Sequence, residues 1–384
     1  MVLGDVNQNT WSLGLDRVRL ALEILGHPEG AYPHVLVAGT NGKGSTCIYL
    51  ERILLSSGRS VGTTLSPHLS RFSERFRVNG REASPLELGR IRGEIEPLVG
   101  DVGLTYFEWC VVIAAMLFAG HRVDVGIFEV GLGGRYDASN ALDPAISMIS
   151  EISIDHTDYL GSTVAQIARE KAAIGRAGRP LLTTATGRSR KVIREHARSI
   201  GAVLTEITEP CELPSGMAGY RQAMNAALAR QAAALLDVHP GRDDLAYAIR
   251  TAFLPGRIEK VGEHVIMDVA HNPSSMLVLV THLKRCGFKG VGVVGILVDK
   301  DFHTLVRMLK KVCSCLYIAP VESPRSWGEE DMKSVESLGG IEICESITHA
   351  FEEALHTGLP LVITGSFYTV GEVREYLVCH GWPS

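Results

Sequence analysis

The chain has 384 residues, which exceeds the length at which a single hydrophobic core usually stops growing. We therefore expect about two domains. Hydrophobic residues make up 46%, charged residues 21%, and there are 40 glycines, an ordinary composition for a globular α/β protein that excludes a mainly disordered chain. The net charge of −5 gives no long-range attraction for nucleic acid or an anionic membrane, and we predict neither as a partner.

The first residues lack the basic start and apolar core of a secretion signal. The longest nearly apolar run, residues 110–120, is too short to cross a bilayer. Eight cysteines are scattered without CxxC pairs or histidines at metal spacing, which is typical of reduced thiols in a core. These features predict a soluble cytoplasmic protein.

Residues 11–26 have apolar side chains at helical spacing and end at a glycine, which predicts an amphipathic helix before the first strand. The stretch HVLVAGTNGKGSTCIYLERILLSS, residues 34–57, predicts a strand, a glycine-rich turn and a helix. Glycines let backbone N–H groups converge on an anion, the helix start adds partial positive charge, and Lys43 adds a full one. The stretch therefore predicts a polyphosphate site. Val37 and Ser45 depart from the generic GxxxxGK[ST] spacing, and a glycine-rich turn without a ligand is the alternative.

A short predicted strand is followed by Ser66, whose hydroxyl is a candidate ligand for a metal ion beside the phosphate loop. The charged segment after it, residues 71–77, is interpreted either as a solvated polar loop or as part of that site. Residues 84–98 predict a helix, and residues 105–120 predict a nearly all-apolar helix with Glu108 near its start. A carboxylate in an apolar segment is costly unless paired, so Glu108 is either a helix-start stabiliser or a substrate-pocket residue.

The next strand, residues 123–129, is continuously apolar, as in parallel sheets covered on both faces, and ends on Glu129. Because the carboxyl ends of parallel strands meet at one edge of a sheet, Glu129 is predicted to share a crevice with the phosphate loop. The following strand brings two aspartates and His156 at residues 155–158, which favours a metal role over a structural histidine. Lys171, in the helix after it, is by composition an ordinary surface lysine.

Another βα pair, a loop rich in glycine and proline at residues 211–219 and two helices lead to the motif LPGR, residues 254–257, where we place a domain boundary. The α/β rhythm then restarts as a separate doubly wound unit of about 130 residues. The predicted fold class is therefore α/β. It comprises a P-loop-containing doubly wound sheet domain, residues 1–255, followed by a smaller Rossmann-like α/β domain, residues 256–384.

The phosphate loop together with Ser66, Glu129 and His156 fits a nucleotide with Mg²⁺, which usually keeps waters and takes only one or two protein carboxylates. Histidine is an uncommon magnesium ligand, so direct ligation is the weaker part of this prediction for His156. No Ser-His-Asp or Cys-His nucleophile set is recognisable, which favours phosphoryl transfer by positioning and charge neutralisation. Arg257 and Asp268 are predicted to help close over the nucleotide.

A series of motifs follows one order along the chain, from about residue 13 to residue 370. These motifs are GTNGKGST, LSPHLSRFSERFRVNG, TYFE, FEVGLGGRYDASN, IDHTDYLG, AREKAAI, LPGR, DVAHNP, VDKD, APVESPR and TGSFYTV. Together they resemble the folylpolyglutamate synthase and dihydrofolate synthase family, within the Mur-type amide ligases. The resemblance implies a monomeric ligase, with ATP and Mg²⁺ as cofactors, that joins L-glutamate to the carboxyl end of a pteroate or folate. In that family the carboxylate takes the γ-phosphate of ATP to form an acyl phosphate, and the amine of glutamate then displaces phosphate.

The resemblance also implies roles for individual residues, carried over motif by motif. The implied ATP contacts are Thr40, Asn41, Gly42, Lys43, Gly44, Ser45, Asn225, Arg257 and Asp268. The implied pterin-side residues are Ser12, Leu13, Gly14, Leu15, Thr105, Tyr106, Phe107, Glu108, Tyr136, Asp137 and Ala138, and His271 and Ser366 are implied on the glutamate side. Ser66 and Glu129 would bind one Mg²⁺ and His156 a second. Lys43, Lys171 and His271 are the implied catalytic residues, and Lys171 matches a lysine that becomes carbamylated in the family, which would turn a cation into an anion beside the metals.

The chain departs from the family pattern before the helix that contains Asn225. Only the ten residues EPCELPSGMA stand where the family usually has a longer β-rich insertion. Two alternatives therefore stay open beside the folate ligase. One is a paralogous ligase that acts on a different carboxylate acceptor, and the other is a non-catalytic nucleotide-binding relative.

Overall fold

The computed structural model describes residues 2, 3, 6 and 14–382. The chain divides into two compact units, the first made of Met1–Gly216 and Gln222–Phe253 and the second of Met217–Arg221 and Leu254–Ser384. Both units are α/β, as predicted. The chain therefore enters the second unit twice. The predicted boundary after residue 255 lies beside the second of these entries, whereas no feature of the sequence indicates the first.

The first unit alternates strands and helices for most of its length. Its strands are β1 (His34–Ala38), β2 (Val61–Thr64), β3 (Phe76–Val78), β4 (Arg81–Glu82), β5 (Val125–Glu129), β6 (Ile146–Ile149), β7 (Pro180–Thr183) and β8 (Val203–Glu206). Its helices are α1 (Asp16–Ile24), α2 (Lys43–Ser56), α3 (Pro85–Val99), α4 (Tyr106–Gly120), α5 (Thr157–Leu160), α6 (Val164–Ala172), α7 (Gly187–Ile200), α8 (Gln222–Leu235) and α9 (Arg242–Arg250).

An eight-stranded sheet forms the centre of the first unit, in the order β4-β3-β2-β5-β1-β6-β7-β8. From β2 to β8 along this order every neighbouring pair is parallel, so the carboxyl ends of these strands share one edge. All residues of β1 and β5 are buried, which explains why both strands are continuously apolar rather than alternating. The phosphate loop and the end of β5 consequently lie on adjacent strands.

The polar segment after β2 is not a solvated loop throughout, because it contains the antiparallel hairpin β3–β4. The hairpin turns at Asn79 (φ 50°) and Gly80 (φ 77°). Asn-Gly with positive φ at both positions is the sequence of a type I′ turn, whose twist matches that of paired strands. The dipeptide Asn79-Gly80 is a local hairpin signal. The strands on either side of it were not predicted, because the many charged residues there are typical of a solvated loop.

Helix α4 is the apolar helix predicted over residues 105–120, and most of its side chains are buried in the first unit. The ring of Phe118 covers Gly62 on β2, where a Cβ would collide with it, so the glycine allows helix and sheet to approach. Packing within the unit thus accounts for the apolar character of α4. In the part of the chain that the structure describes, no helix is both long enough and apolar enough to span a membrane.

The second unit is built around a six-stranded sheet. Its strands are β9 (Glu259–Val261), β10 (Val265–Asp268), β11 (Gly290–Val294), β12 (Cys313–Ile318), β13 (Ile341–Ile343) and β14 (Leu361–Thr364). Its helices are α10 (Pro273–Arg285), α11 (Phe302–Leu309), α12 (Glu329–Lys333), α13 (Ile347–His356) and α14 (Phe367–Cys379). The strand order is β13-β12-β11-β14-β10-β9, and only the edge strand β9 pairs antiparallel.

Candidate active site

The phosphate loop of the first unit is the turn from β1 to α2, residues 39–42. Gly39 has a φ of 149° and Gly42 a φ of 88°, conformations that side-chain-bearing residues rarely adopt. A Cβ on Gly39 would collide with the Ser150 hydroxyl, and one on Gly42 would lie 2.6 Å from the Asn225 amide oxygen. Both positions therefore require glycine, and the loop lies directly against neighbouring side chains.

Hydrogen bonds fix this loop to the segment after β6. The Thr40 N–H donates to the Glu151 carbonyl (2.7 Å), and Thr40 Oγ1 donates to the Ser153 carbonyl (3.1 Å). Asn41 Nδ2 donates to Ser153 Oγ (3.2 Å). Contacts within the protein thus define the shape of the loop.

Lys43 is the first residue of α2, and its side chain folds back over the loop. Its Nζ donates to the carbonyl oxygens of Gly39 (3.2 Å) and Thr40 (3.4 Å). The N–H groups in the first turn of a helix have no intrahelical partner, and the helix dipole places partial positive charge there. Gly44 and Ser45 lie in this first turn. The loop therefore combines an ammonium group with a helix N-terminus, an arrangement suited to phosphates.

Helix α8 approaches the loop through two amide side chains. Gln222 Nε2 donates to Ser45 Oγ (3.2 Å), and Asn225 Nδ2 donates to Gln222 Oε1 (3.0 Å). All three side chains are buried. Gln222 was not recognised from the sequence, although its spacing of three residues from Asn225 places both on one helix face. The structure thus places Asn225 beside the phosphate loop.

Glu129 ends β5 directly beside the phosphate loop, because Val37 of β1 pairs with it in the parallel register. The Ser66 N–H donates to Glu129 Oε2 (2.9 Å), which brings the two candidate metal ligands together. Ser66 Oγ is buried and has no hydrogen-bond partner among the described residues. A buried hydroxyl oxygen beside a buried carboxylate is a pair suited to a hard cation.

The thiol of Cys47, one turn into α2, is fully buried and is affected by the charges of both Lys43 and Glu129. Burial raises the pKa of this thiol well above its ordinary value, the charge of Glu129 raises it further, and the charge of Lys43 lowers it. Both charges therefore act on one buried side chain.

His156 follows β6 in a left-handed conformation (φ 51°) and precedes α5. Its N–H donates to Oδ1 of the buried Asp155 (2.9 Å), which fixes the turn. Asp158, by contrast, is exposed. Among the described residues, no group of three or more His, Cys, Asp or Glu side chains is arranged to hold a metal ion. The ligands predicted around His156 therefore do not form a compact acidic cluster.

Lys171 is not a surface lysine, since only 4% of the residue is exposed. Burial lowers the pKa of its amine to about 7, and the charge of Lys43 lowers it as well, while Asp155 and Asp137 oppose the change. The glycine turn after β5 makes this burial possible, because a Cβ on Gly134 would lie 3.0 Å from Lys171 Cα. The composition-based reading of Lys171 was wrong because these neighbours come from separate elements.

Glu108 stabilises the start of α4, one of the two roles considered for it. Its Oε2 accepts the Thr105 N–H (2.7 Å) in a capping box. Arg17 binds both oxygens, with Nε donating to Oε2 (3.0 Å) and Nη2 to Oε1 (2.8 Å). This hydrogen bonding to Glu108 raises the pKa of Arg17. The Glu108 side chain thus links α4 to α1. Local sequence patterns could not predict this pairing, because 91 positions separate the two residues.

The remaining candidates for the pterin side lie before α1, at the start of α4 and in the turn after β5. Tyr106 is buried, Phe107 packs over the glycine turn after β5, and Tyr136 is exposed. Asp137 accepts the N–H groups of Leu132 (2.9 Å) and Ser139 (3.0 Å), while burial raises its pKa. Ala138 is buried beside it. Gly14 and Leu15 directly precede α1, whereas Ser12 and Leu13 lie outside the described residues.

In the second unit, Asp268 fixes the backbone around Arg257. Its Oδ2 accepts the Ile258 N–H (2.8 Å), and its Oδ1 accepts the Ala270 N–H (2.8 Å). Ile258 has a φ of 48°, a strained conformation for a β-branched residue. Burial raises the pKa of Asp268 to about 6, while the charge of Arg257 lowers it. Asp268 therefore holds the turn that carries Arg257.

In the second unit, Phe367 lies between Arg257, a candidate ATP contact, and His271, a candidate contact on the glutamate side. The Arg257 guanidinium lies 5.3 Å from the centre of its ring, and the His271 ring lies 6.0 Å from it. His271 Nδ1 is 2.9 Å from the Val269 carbonyl, to which it donates, and Ser366 Oγ accepts the Thr369 N–H (3.1 Å) to cap α14. Phe367 was overlooked in the sequence, although it stands within the motif TGSFYTV.

Known protein families match both units. The Mur ligase middle domain matches residues 37–181, and the Mur ligase glutamate ligase domain matches residues 256–367. The dihydrofolate synthase/folylpolyglutamate synthase of Escherichia coli (strain K12) is 36% identical over 98% of this chain and 94% of its own length. The chain belongs to this synthase family. The resemblance carried by the motifs is thereby confirmed.

Solved structures of the synthase family share the fold. E. coli FolC in complex with DHPP and ADP has a TM-score of 0.89 and 34% identity, with 98% of this chain and 96% of that chain covered. A bifunctional folylpolyglutamate synthase/dihydrofolate synthase with Mn, AMPPNP and L-glutamate bound has a TM-score of 0.88 and 34% identity, with 96% and 95% covered. The predicted α/β fold is therefore confirmed at the level of the whole chain.

One structural prediction concerns the ion pair between Arg17 and Glu108. Replacing Glu108 with glutamine removes the charge of a buried carboxylate that binds both Arg17 and the Thr105 N–H, so we expect the melting temperature of the first unit to fall by about 5 °C. Differential scanning calorimetry measures the shift. Glu94→Gln, which removes an exposed helix pair with Arg90, is the matched control and is expected to change the melting temperature by about 1 °C or less. Equal shifts in the two variants would contradict the structural role of Glu108.

Proposed function

We propose that this protein is an ATP-dependent ligase that joins L-glutamate to the carboxyl group of a pteroate or a folate. Family membership along nearly the whole chain supports the reaction class. The observation that carries the proposal is the meeting of the phosphate loop with Glu129 and Ser66 at one sheet edge. Lys43 adds the positive charge that a triphosphate requires there.

The reaction has two steps. An oxygen of the acceptor carboxylate attacks the γ-phosphorus of ATP, the bond to the bridging oxygen breaks, and ADP leaves behind an acyl phosphate. The amine of L-glutamate then attacks the acyl carbon and loses a proton, and inorganic phosphate leaves as the amide forms. Neither step needs a covalent bond to the enzyme, which agrees with the absence of a recognisable nucleophile set in the sequence.

In this proposal the first unit binds and orients the triphosphate. The N–H groups of residues 41–45 and the Lys43 ammonium contact the phosphate oxygens, and Asn225 contacts ATP from α8. Ser66 and Glu129 would hold one Mg²⁺ and His156 a second. The unpartnered Ser66 hydroxyl and the buried carboxylate fit an ion that retains most of its waters. Bound Mg²⁺ neutralises phosphate charge.

The second unit supplies further contacts in this proposal. Arg257 binds ATP, and Asp268 supports it by holding the backbone of the Arg257 turn. His271 and Ser366 act on the glutamate side. Phe367 packs beside both Arg257 and His271.

The acceptor is proposed to bind beside the N-termini of α1 and α4 and the turn after β5. The segments concerned are residues 12–15, 105–107 and 136–138. Glu108 contributes indirectly, since Arg17 and the Thr105 N–H occupy its carboxylate. We further infer a monomer that works in the cytoplasm without nucleic acid or a membrane. Light scattering on the purified protein tests the monomer.

A comparison of two acceptors tests the proposed reaction. Purified protein is incubated with ATP, Mg²⁺, L-glutamate and either dihydropteroate or a reduced folate monoglutamate. We expect phosphate release that depends on both glutamate and acceptor, and a product heavier by one or more glutamyl groups, read by mass spectrometry. Absence of turnover with both acceptors would refute the proposal.

A ligase that acts on a different carboxylate is the second candidate, and the shortened segment before α8 favours it. Gly216 in this segment packs tightly, because a Cβ there would lie 2.6 Å from the Ala252 carbonyl oxygen. The nearby Ser215 hydroxyl contacts the hydroxyl of Tyr49 on α2. A screen of carboxylic acids for glutamate-dependent phosphate release separates the candidates, since a better acceptor lacking a pterin would favour the second.

A further inference from the structure

Arg75 is a buried arginine at the edge of the candidate acceptor side. It ends the 3₁₀ turn at residues 72–75, immediately before β3, and only 8% of the residue is exposed. Its carbonyl accepts the Leu65 N–H (3.0 Å), so its backbone lies beside the residue that precedes Ser66. The position is therefore close to the carboxyl ends of β2 and β5 in the first unit.

The guanidinium of Arg75 has no carboxylate partner within 4.0 Å among the described residues. Its Nε donates to His68 Nδ1 (2.7 Å), and its charge lies over the ring of Tyr106, 5.4 Å from the centroid. Arg92, the other arginine buried in the described chain, is paired with the carboxylate of Glu96. Of the two buried arginines in the described chain, Arg75 is thus the one without a carboxylate partner.

The nearby carboxylates are committed to other donors. Glu74 accepts the N–H groups of Leu69 (2.7 Å) and Arg71 (3.1 Å). Glu82 binds the Arg71 guanidinium (3.1 Å). Glu108 is occupied by Arg17, as described above. None of these acids neutralises Arg75, although a buried charge without a counter-charge is costly.

Aromatic rings frame the guanidinium. Phe72 lies edge-on to His68 (6.5 Å between ring centres) and to Tyr106 (5.8 Å). An arginine set among aromatic rings suits an anion attached to an aromatic ring, because the ring faces pack against the ligand ring and the guanidinium binds the carboxylate through paired hydrogen bonds. The acceptor of the proposed reaction, a pteroate, has this chemistry in its benzoyl carboxylate.

We propose that Arg75 binds the aryl carboxylate of the pteroate acceptor and presents it for phosphorylation. The inference rests on the proposed function and adds to it a residue that specifies the acceptor. By holding one carboxylate oxygen, the guanidinium orients the other toward the phosphate. His68 and Tyr106 support Arg75 by fixing its side chain. A folate monoglutamate has an amide at this position, so Arg75 matters more for pteroate than for folate.

Isothermal titration calorimetry tests the carboxylate contact directly. The ligands are pteroate and an analogue in which hydrogen replaces the carboxylate, and the proteins are wild type, Arg75→Met and Arg75→Lys. Arg90→Met, which removes an exposed arginine on α3, is the matched control. We expect wild type and the control to bind pteroate about 100-fold more tightly than the analogue, and Arg75→Met to bind both about equally. Arg75→Lys, which keeps the charge without the planar fork, is expected near a 10-fold ratio.

Steady-state kinetics supplies the second readout. The Arg75→Met variant is expected to raise the KM for dihydropteroate about 100-fold and to leave the KM for ATP within about 2-fold of wild type. Circular dichroism checks folding, and if Arg75→Met does not fold, Arg75→Lys decides. A wild-type pteroate-to-analogue ratio in the folded variant would overturn the inference. A wild type that forms product while binding pteroate and the analogue equally would refute the Arg75 role alone, whereas no turnover with any acceptor would refute the proposed function.

Discussion

Replacement of Lys43 with alanine is expected to lower glutamate-dependent phosphate release about 1,000-fold or more. Lys43 Nζ lies over the phosphate loop and donates to the carbonyl oxygens of Gly39 and Thr40. It is thus placed to neutralise charge on a transferring phosphoryl group, and the rest of the loop has no other full positive charge. A coupled phosphate assay with saturating acceptor measures the change in kcat.

Two comparisons separate lost chemistry from lost structure in the Lys43 variant. Lys191→Ala removes a lysine whose side chain is 74% exposed on α7, and it is expected to keep wild-type turnover. The far-ultraviolet circular dichroism of Lys43→Ala is expected to match wild type, since the loop is fixed by Thr40 and Asn41 rather than by the ammonium. Unchanged turnover in Lys43→Ala would mean that the loop does not bind the reacting phosphates.

The central part of the site was predictable because it depends on short-range patterns and one rule of topology. The pattern of residues 34–57 predicts a strand, a loop and a helix, and the structure has all three. The apolar strand that ends at Glu129 has the pattern of a buried strand in a parallel sheet. Parallel strands present their carboxyl ends at one edge, so the prediction that Lys43 and Glu129 share a crevice rests on topology alone. The register Val37–Glu129 is the detail that the structure adds.

The features of the site that could not be predicted from the sequence depend on contacts between segments far apart in the chain. Glu108 is equally suited to a cap or a pocket by sequence, and its ion pair with Arg17 on α1 could not be predicted from the local pattern. Gln222 and Phe367 have no distinctive local pattern, yet each connects two candidate site residues. Arg75 was one of several charged residues in a polar segment until its burial distinguished it. Burial depends on packing among elements, which periodicity alone does not describe.

The second large effect is expected at Lys171, whose reactivity follows from its burial. With a pKa of about 7, a substantial fraction of the amine is neutral near pH 7 and can attack CO₂. The amine nitrogen forms a bond to carbon and one proton is released, so the product is a carbamate with one negative charge. We expect removal of CO₂ and bicarbonate to lower kcat about 10-fold or more, and added bicarbonate to restore it. Lys171→Met is expected to have a kcat about 100-fold lower that bicarbonate does not restore.

The pH dependence of stability tests the same amine without using activity. In CO₂-free buffer between about pH 7 and pH 10, the unfolded chain keeps the Lys171 proton, whereas the folded chain has lost it. The free energy of unfolding therefore rises with pH across this range, by up to about 1.4 kcal/mol per pH unit for this one group. Lys171→Met lacks this dependence, so we expect its stability advantage over wild type to grow as the pH falls from 10 to about 7 and then to level off. Denaturant titrations at several pH values measure the difference, with Lys191→Met as control. A difference that does not vary with pH would show that Lys171 titrates as an ordinary exposed lysine.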